Sequence, residues 1–111
     1  MTLSDRLTAK ARRRLEAQAT PTEQVLHSAT VGPVAMVLTD QRLMLAAYNQ
    51  GAGPDLNLPL SAIQDVAWQK GILGSQGRLT IHTSSQVLEY KTPNKQGEPA
   101  AVKIRQAIAS H

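Results

Sequence analysis

The feature that most constrains the fold is a change in the spacing of apolar residues at Glu23. Before it, Leu7, Ala11 and Leu15 recur every four positions, which is the spacing of one face of a helix. After it, short apolar segments show the period of two of a β-strand and are separated by turn-forming residues. The sequence therefore predicts an N-terminal helix over 4–18, a loop at 49–55, and strands at 23–30, 32–40, 42–48, 56–60, 65–71, 77–83 and 86–92.

A second predicted helix closes the chain. Pro99 suits its first turn, and Ala101, Ile104 and Ile108 form one apolar stripe that runs to about Ala109. A seven-strand meander must roll up to hide its edges, and the closing helix is the natural plug for its open end. We therefore predict a mainly β (α+β) fold, a seven-stranded antiparallel barrel or two bent sheets, capped by the C-terminal helix and carrying an extra N-terminal helix.

Basic charge is concentrated in the first helix. Of the net charge of +4, a local excess of three lies in residues 1–16, which leaves the rest of the chain nearly neutral. This divides the chain into a basic helix at 1–20 and one domain at 23–111. Arg12, Arg13 and Arg14 point around more than half of the helix circumference, as on a solvated surface or at a contact with an acidic partner or anionic lipid. Only three aromatic residues are present, so base stacking and nucleic-acid binding are disfavoured.

The sequence contains little that points to catalysis. It has no cysteine, which excludes disulfides and thiolate chemistry and favours a reducing compartment, so we expect a cytoplasmic protein. His27, His82 and His111 fall on separate elements without metal-ligand spacing. Asp40 beside Arg42 is better explained by a hairpin turn than by a catalytic pair. We predict no enzymatic activity, no cofactor, no bound metal and no small-molecule substrate.

Several segments resemble a known family when they are taken in order. They are "VAMVLTDQRLMLAA" (34–47), "LPLSAIQDVAWQKGILG" (58–74) and "GRLTIHTSSQVLEYK" (77–91), followed by the final helix. Together they resemble the bacterial pleckstrin-homology (PH)-like domains over about residues 23–109. The resemblance implies a small open barrel capped by a helix, and a binding, membrane-associated or oligomerising module rather than an enzyme.

The chain departs from the phosphoinositide-binding members of the wider superfold. Those proteins hold phosphates with basic residues in the loop between the first two strands. Here no Lys or Arg lies between Glu23 and Arg42. Phosphates would have no partner in that loop, so we do not expect headgroup binding there.

Two aliphatic residues stand between glycines in "QKGILGSQG" (69–77), where a turn is predicted. Left in water, Ile72 and Leu73 would each forgo about 1.5–3 kcal/mol. Three explanations are open. The pair closes one end of the barrel, under Leu7 and Leu15 of the first helix; it forms a subunit interface; or it is an apolar prong that enters a membrane.

These observations predict a non-catalytic interaction module that acts through protein–protein contacts or self-association. The alternative is peripheral membrane association through the basic helix and the apolar tip at 71–74. The candidate contact residues are Arg12, Arg13, Arg14, Ile72 and Leu73. Trp68, the sole tryptophan, is expected in the core or at the barrel mouth because it alternates with Val66.

Overall fold

Seven antiparallel strands form two sheets in the computed structural model, which describes residues 3–47 and 55–111. The first sheet has the order β1-β2-β3-β4 and the second the order β5-β6-β7. Their bounds are Val25–Val31, Val34–Thr39, Arg42–Ala47 and Leu56–Pro59 for β1 to β4, and Ile63–Gln69, Gly77–Thr83 and Val87–Thr92 for β5 to β7. The predicted strands are confirmed, as a two-sheet sandwich rather than a closed barrel. The predicted loop at 49–55 lies, except for Asp55, outside the described residues.

The main core lies between the two sheets and the C-terminal helix α2, Asn94–Ser110. Alternate residues of the strands point into it, as a period of two requires. The helix adds a stripe of small and branched side chains. Buried core residues include Met36, Leu38, Leu43, Leu45, Leu79, Ile81, Ala100, Ala101 and Ile104.

The N-terminal helix α1, Leu3–Glu16, packs on the outer face of the first sheet. Ala11 and the fully buried Leu15 form a second apolar cluster with small and flexible side chains of β2 and β3. Strand β2 is therefore buried on both faces, which explains why its sequence is apolar from Val34 to Leu38. The sheet residues of this cluster are Ala35, Val37, Met44 and Ala46.

Helix α2 begins earlier than predicted. The sequence places Pro99 in the first turn, but the helix starts at Asn94 and contains Pro99 in its interior. Tertiary contacts account for the difference. The Asn94 side chain bonds the backbone of Gly71, and the Gln96 Oε1 accepts the Gly32 amide N–H at 3.1 Å. These polar residues, which read as loop formers in sequence, hold the first turn of α2 against the sheets.

Trp68 occupies a slot between two glycines. A Cβ atom at Gly97 of α2 or at Gly77 of β6 would collide with its indole ring. The ring is partly buried and packs against the main core, as expected of a position in the core or at the barrel mouth. Its Nε1 is buried, with no hydrogen-bond partner among the described residues. In that described part, neither helix is long and apolar enough to cross a bilayer.

Candidate functional site

The turn between β5 and β6 has an unusual backbone. The Ser75 N–H donates to the Ile72 carbonyl at 3.0 Å and closes a four-residue turn. Its two central residues, Leu73 and Gly74, have φ angles of 54° and 82°. Two positive φ angles are the pattern of a type I′ turn, where Asn, Asp or Gly is expected at the first central position. Among the described residues, Leu73 is the only non-glycine with a positive φ.

Side chains hold this turn in place. The Ser75 hydroxyl accepts the Ile72 N–H at 2.9 Å and donates to the Ile72 carbonyl at 2.6 Å. The Asn94 Oδ1 accepts the Gly71 N–H at 2.9 Å, and its Nδ2 donates to the Gly71 carbonyl at 3.3 Å. The predicted tip at 71–74 and Ser75 are thus fastened to the first turn of α2. From here on, the tip means residues 71–75.

The tip presents its two aliphatic side chains to solvent. Ile72 is 74% exposed and Leu73 is 100% exposed. The prediction that they close the barrel end under Leu7 and Leu15 is therefore wrong. Leu15 is buried instead in the cluster between α1 and the first sheet, where it meets the outer face of β2 and β3. The other two explanations, an interface or a membrane prong, both need an exposed pair.

Three cations lie at the base of the tip. Lys70, Arg78 and Lys91 line one cavity of about 470 Å³ together with Ile72 and polar or glycine residues. Arg78 and Lys91 are cross-strand partners, and like charges directly opposite each other destabilise a sheet. None of the described residues that line this cavity is acidic. Glu89, the nearest carboxylate along β7, lines a neighbouring cavity that also includes Lys91. We call the first cavity the cationic pocket.

The three arginines of α1 that were predicted as contacts have different surroundings. The Arg12 Nη1 donates to the Ser28 carbonyl at 3.4 Å, and Arg14 forms an ion pair with Asp55 at 2.8 Å. Both side chains help to fix α1 on the sheet. Arg13 is exposed. The structure therefore does not gather the three arginines on one free surface.

An extensive polar cluster lies at the β2–β3 turn, and its groups are paired with one another. The Glu23 carboxylate, 2% exposed, accepts Arg42 Nη2 at 2.8 Å, Arg42 Nε at 3.0 Å, Thr39 Oγ1 at 2.6 Å and the Thr20 N–H at 3.0 Å. The Arg42 hydrogen bonds, aided by those from Thr39 and Thr20, lower the pKa of Glu23 to about 2 against the opposing effect of burial. Arg42 therefore pairs with Glu23 rather than with Asp40.

Asp40 has a separate structural partner. Its carboxylate accepts the Gln24 N–H at 3.0 Å, while its own N–H donates to the Gln24 carbonyl at 3.0 Å. The turn "LTDQRL" (38–43), part of the first segment that carried the family resemblance, thus ties the segment after α1 to the first sheet. These contacts give the motif a structural role.

The β1–β2 turn is short and closed. Val31 pairs with Val34, so only Gly32 and Pro33 connect the strands. Gly32 has a φ of 57°, and a Cβ there would collide with the Lys91 carbonyl. No room is left for a phosphate-binding loop of the kind found in phosphoinositide-binding PH domains. In the described residues no three His, Asp or Glu side chains are grouped as metal ligands.

Comparisons with solved structures identify the fold. A DUF1696 family protein with a pleckstrin-homology domain from Shewanella loihica PV-4 matches with a TM-score of 0.59 and 20% identity, over 99% of this chain and 97% of that one. A pleckstrin homology domain from Shewanella amazonensis SB2B matches with a TM-score of 0.65 and 19% identity, over 93% and 96%. The chain has the pleckstrin-homology-like fold. The fold implied by the sequence resemblance is therefore confirmed.

The PH-like match extends over nearly the whole chain in both cases. No protein-family model matches the sequence, and no curated protein matches it either. The fold by itself assigns no function to the chain.

Sequence reasoning located the tip but missed the cations around it. Lys70, Arg78 and Lys91 come from three separate segments, so no run of charge marks them. One signal was present, because Lys70 and Arg78 flank the predicted turn on its two strands. Lys91 joins them only through the register of β6 with β7.

Proposed function

We propose that this PH-like chain is a non-catalytic interaction module that associates peripherally with an anionic membrane through the tip. The observation that carries the proposal is Leu73, fully exposed and held in a left-handed conformation. An exposed leucine gains nothing for folding, and a left-handed backbone costs it roughly 1–2 kcal/mol. A residue that costs the fold backbone strain and returns no burial is best explained by a contact outside the chain.

A membrane suits the shape and size of the tip better than a protein does. The side chains of Ile72 and Leu73 together offer roughly 100–250 Å² of apolar surface, whereas a stable protein interface buries about 800 Å² on each partner. A bilayer needs no complementary pocket. It also supplies anions for Lys70, Arg78 and Lys91, each worth about 1 kcal/mol near an anionic surface.

The proposal includes the cytoplasmic leaflet as the surface that is bound. A cysteine-free chain fits a reducing compartment, and the leaflet that faces it carries the anionic lipids. Among the three arginines predicted as contacts, Arg13 is the one we propose as an additional contact, because Arg12 and Arg14 bond within the chain. Charge reversal in Arg13→Glu would then weaken binding less than loss of Leu73.

Co-sedimentation with vesicles tests this function. Wild-type protein is expected to bind vesicles that contain anionic lipid and to be released by salt. Leu73→Asn keeps a residue that tolerates the turn but removes the apolar prong, so we expect binding to fall roughly tenfold. Val87→Thr is the matched control. Val87 is 55% exposed and lies at the start of β7, at the opposite end of that strand from Lys91 and the tip. Equal binding by wild type and Leu73→Asn would overturn the proposal.

Protein–protein contact or self-association is the second candidate. It is favoured by apolar exposure at Val25 and Leu26 of β1, beside a cavity of about 320 Å³ that Leu26 and Ala107 line. This surface lies near the end of α2 and the tip lies at its start, so the two would form separate contacts. Light scattering coupled to size exclusion distinguishes the candidates. An oligomer that becomes a folded monomer in Ile72→Asp/Leu73→Asp would put self-association ahead of membrane binding.

A further inference from the structure

We infer that the cationic pocket binds the phosphate of a phosphomonoester lipid headgroup, of which phosphatidic acid is the simplest example. This inference rests on the proposed membrane function, because it names the lipid class that the tip would meet. The site lies at the β5–β6 end of the second sheet and is separate from the closed β1–β2 turn.

Two cations of the pocket repel each other, and the carboxylate nearest to them along β7 is Glu89, which lines the adjoining cavity with Lys91. Arg78 and Lys91 are directly opposite each other in the β6–β7 register, and Lys70 follows the end of β5 beside them. The ion pairs recorded among the described residues involve Arg14 and Arg42 and none of these three. A bound anion would relieve the repulsion between the cations and would bridge the two strands.

Polar groups lie beside the cations of the pocket. Gln69 and Gln76 add amide groups to its lining, and the nearby Gly71 is fixed by Asn94. Ile72 lines the same pocket, while Leu73 extends beyond it into solvent. With the tip directed into a bilayer, the aliphatic pair meets the acyl region and the cations stay level with the headgroup phosphates.

The number of cations points to a phosphomonoester rather than a phosphodiester. A monoester carries a charge of about −1.5 to −2 at neutral pH and offers three acceptor oxygens. A diester headgroup, as in phosphatidylserine, carries a single charge on its phosphate. Three cations, one of them a guanidinium that can bond two oxygens at once, match the monoester in charge and in donor geometry.

Vesicle binding with matched surface charge tests the inference. Vesicles of phosphatidylcholine with phosphatidic acid are compared with vesicles of phosphatidylcholine with phosphatidylserine, adjusted to equal zeta potential. We expect tighter binding to phosphatidic acid. Arg78→Gln or Lys91→Gln is expected to weaken that binding by about fivefold each and to remove the preference. Lys103→Gln on α2, which makes the same charge change at another cavity, is expected to keep the preference.

The outcomes separate the inference from the function on which it rests. Equal binding to both vesicles, still dependent on Leu73, would overturn the phosphomonoester site and leave membrane association standing. Absence of binding to either vesicle would overturn both. Titration with glycerol 3-phosphate, monitored by NMR of the Arg78 and Lys91 resonances, tests whether the pocket binds a soluble phosphate ester rather than a lipid headgroup. Saturation by the soluble ester without vesicle binding would overturn the lipid as the ligand.

Discussion

Two hairpin turns of this molecule are built in opposite ways. The β2–β3 turn places Thr39, Asp40 and Arg42 in polar contacts that fasten it to the chain after α1. The β5–β6 turn is equally well fastened by Ser75 and Asn94, but it exposes Ile72 and Leu73. In the first turn the side chains stabilise the fold. In the second, the fastening holds in place two side chains that the fold does not use, which is why we assign the contact function to it.

The largest expected effect comes from a substitution that disrupts the β2–β3 turn. Arg42→Met leaves the buried Glu23 carboxylate without its main partner, so we expect a loss of about 2–3 kcal/mol in the free energy of unfolding. Urea denaturation followed by circular dichroism measures it. Arg13→Met, at an exposed position of α1, is the matched control and should change stability little. A loss in Arg42→Met no greater than in the control would contradict this account of the turn.

Acid should weaken the same turn and leave the tip intact. The pKa of Glu23 is about 2 in the folded state, below its ordinary value of 4.5. The stabilisation is therefore complete above roughly pH 5 and is lost as the pH falls toward 2. Burial and the charge of Lys103 lower the pKa of His27. A further loss of stability therefore begins as the pH falls below 6.5, the ordinary pKa of histidine. The free energy of unfolding is measured against pH for wild type and for Glu23→Gln, and the difference between them isolates the contribution of Glu23. Two curves that run parallel below pH 5 would refute that contribution.

A smaller effect is expected where the tip is fastened. Asn94→Ala removes both hydrogen bonds to Gly71, so we expect a loss of about 1 kcal/mol in stability. Vesicle binding should weaken as well, although Leu73 is unchanged, because a loosened tip must be ordered on binding. Asn57→Ala, on the exposed side of β4, is the control. Undiminished binding by Asn94→Ala would show that fastening the tip is irrelevant to contact.

The smallest expected effect is a gain. Leu73→Asn should raise the free energy of unfolding by about 0.5–1 kcal/mol, because Asn adopts the left-handed conformation more readily than Leu. The same variant is the one expected to lose membrane binding. Thermal unfolding gives the stability, with Leu73→Val as a contrast that should destabilise the turn. Destabilisation by Asn would mean that Leu73 serves the fold after all.

Much of the fold was predictable because it depends on local patterns. Short apolar segments separated by turn-forming residues located all seven strands, and the Thr39 to Arg42 turn was recognisable as a hairpin connection. The start of α2 was predicted too late because Gln96 and Gly97 form their deciding contacts with distant residues, Gly32 and Trp68. Sequence spacing gives no sign of such contacts.

The candidate site was predictable only in its position. The glycines around Ile72 and Leu73 indicated a turn, but their exposure depends on what the rest of the chain covers, and α1 covers the other sheet. Arg12 and Arg14 looked available in sequence because their partners, Ser28 and Asp55, are far along the chain. A run of basic residues in a sequence therefore overestimates the free positive charge on the surface when the fold pairs some of those residues.

The slot that holds Trp68 has a practical consequence. This indole is the only one in the chain. It touches Gly77, two residues beyond the tip, and Gly97, three residues beyond Asn94, which bonds the tip. Its unpaired N–H and partly buried ring give its fluorescence emission a strong dependence on local polarity. The protein therefore carries its own spectroscopic reporter beside the proposed contact, so that docking can be followed by emission wavelength and quenching without attaching a dye.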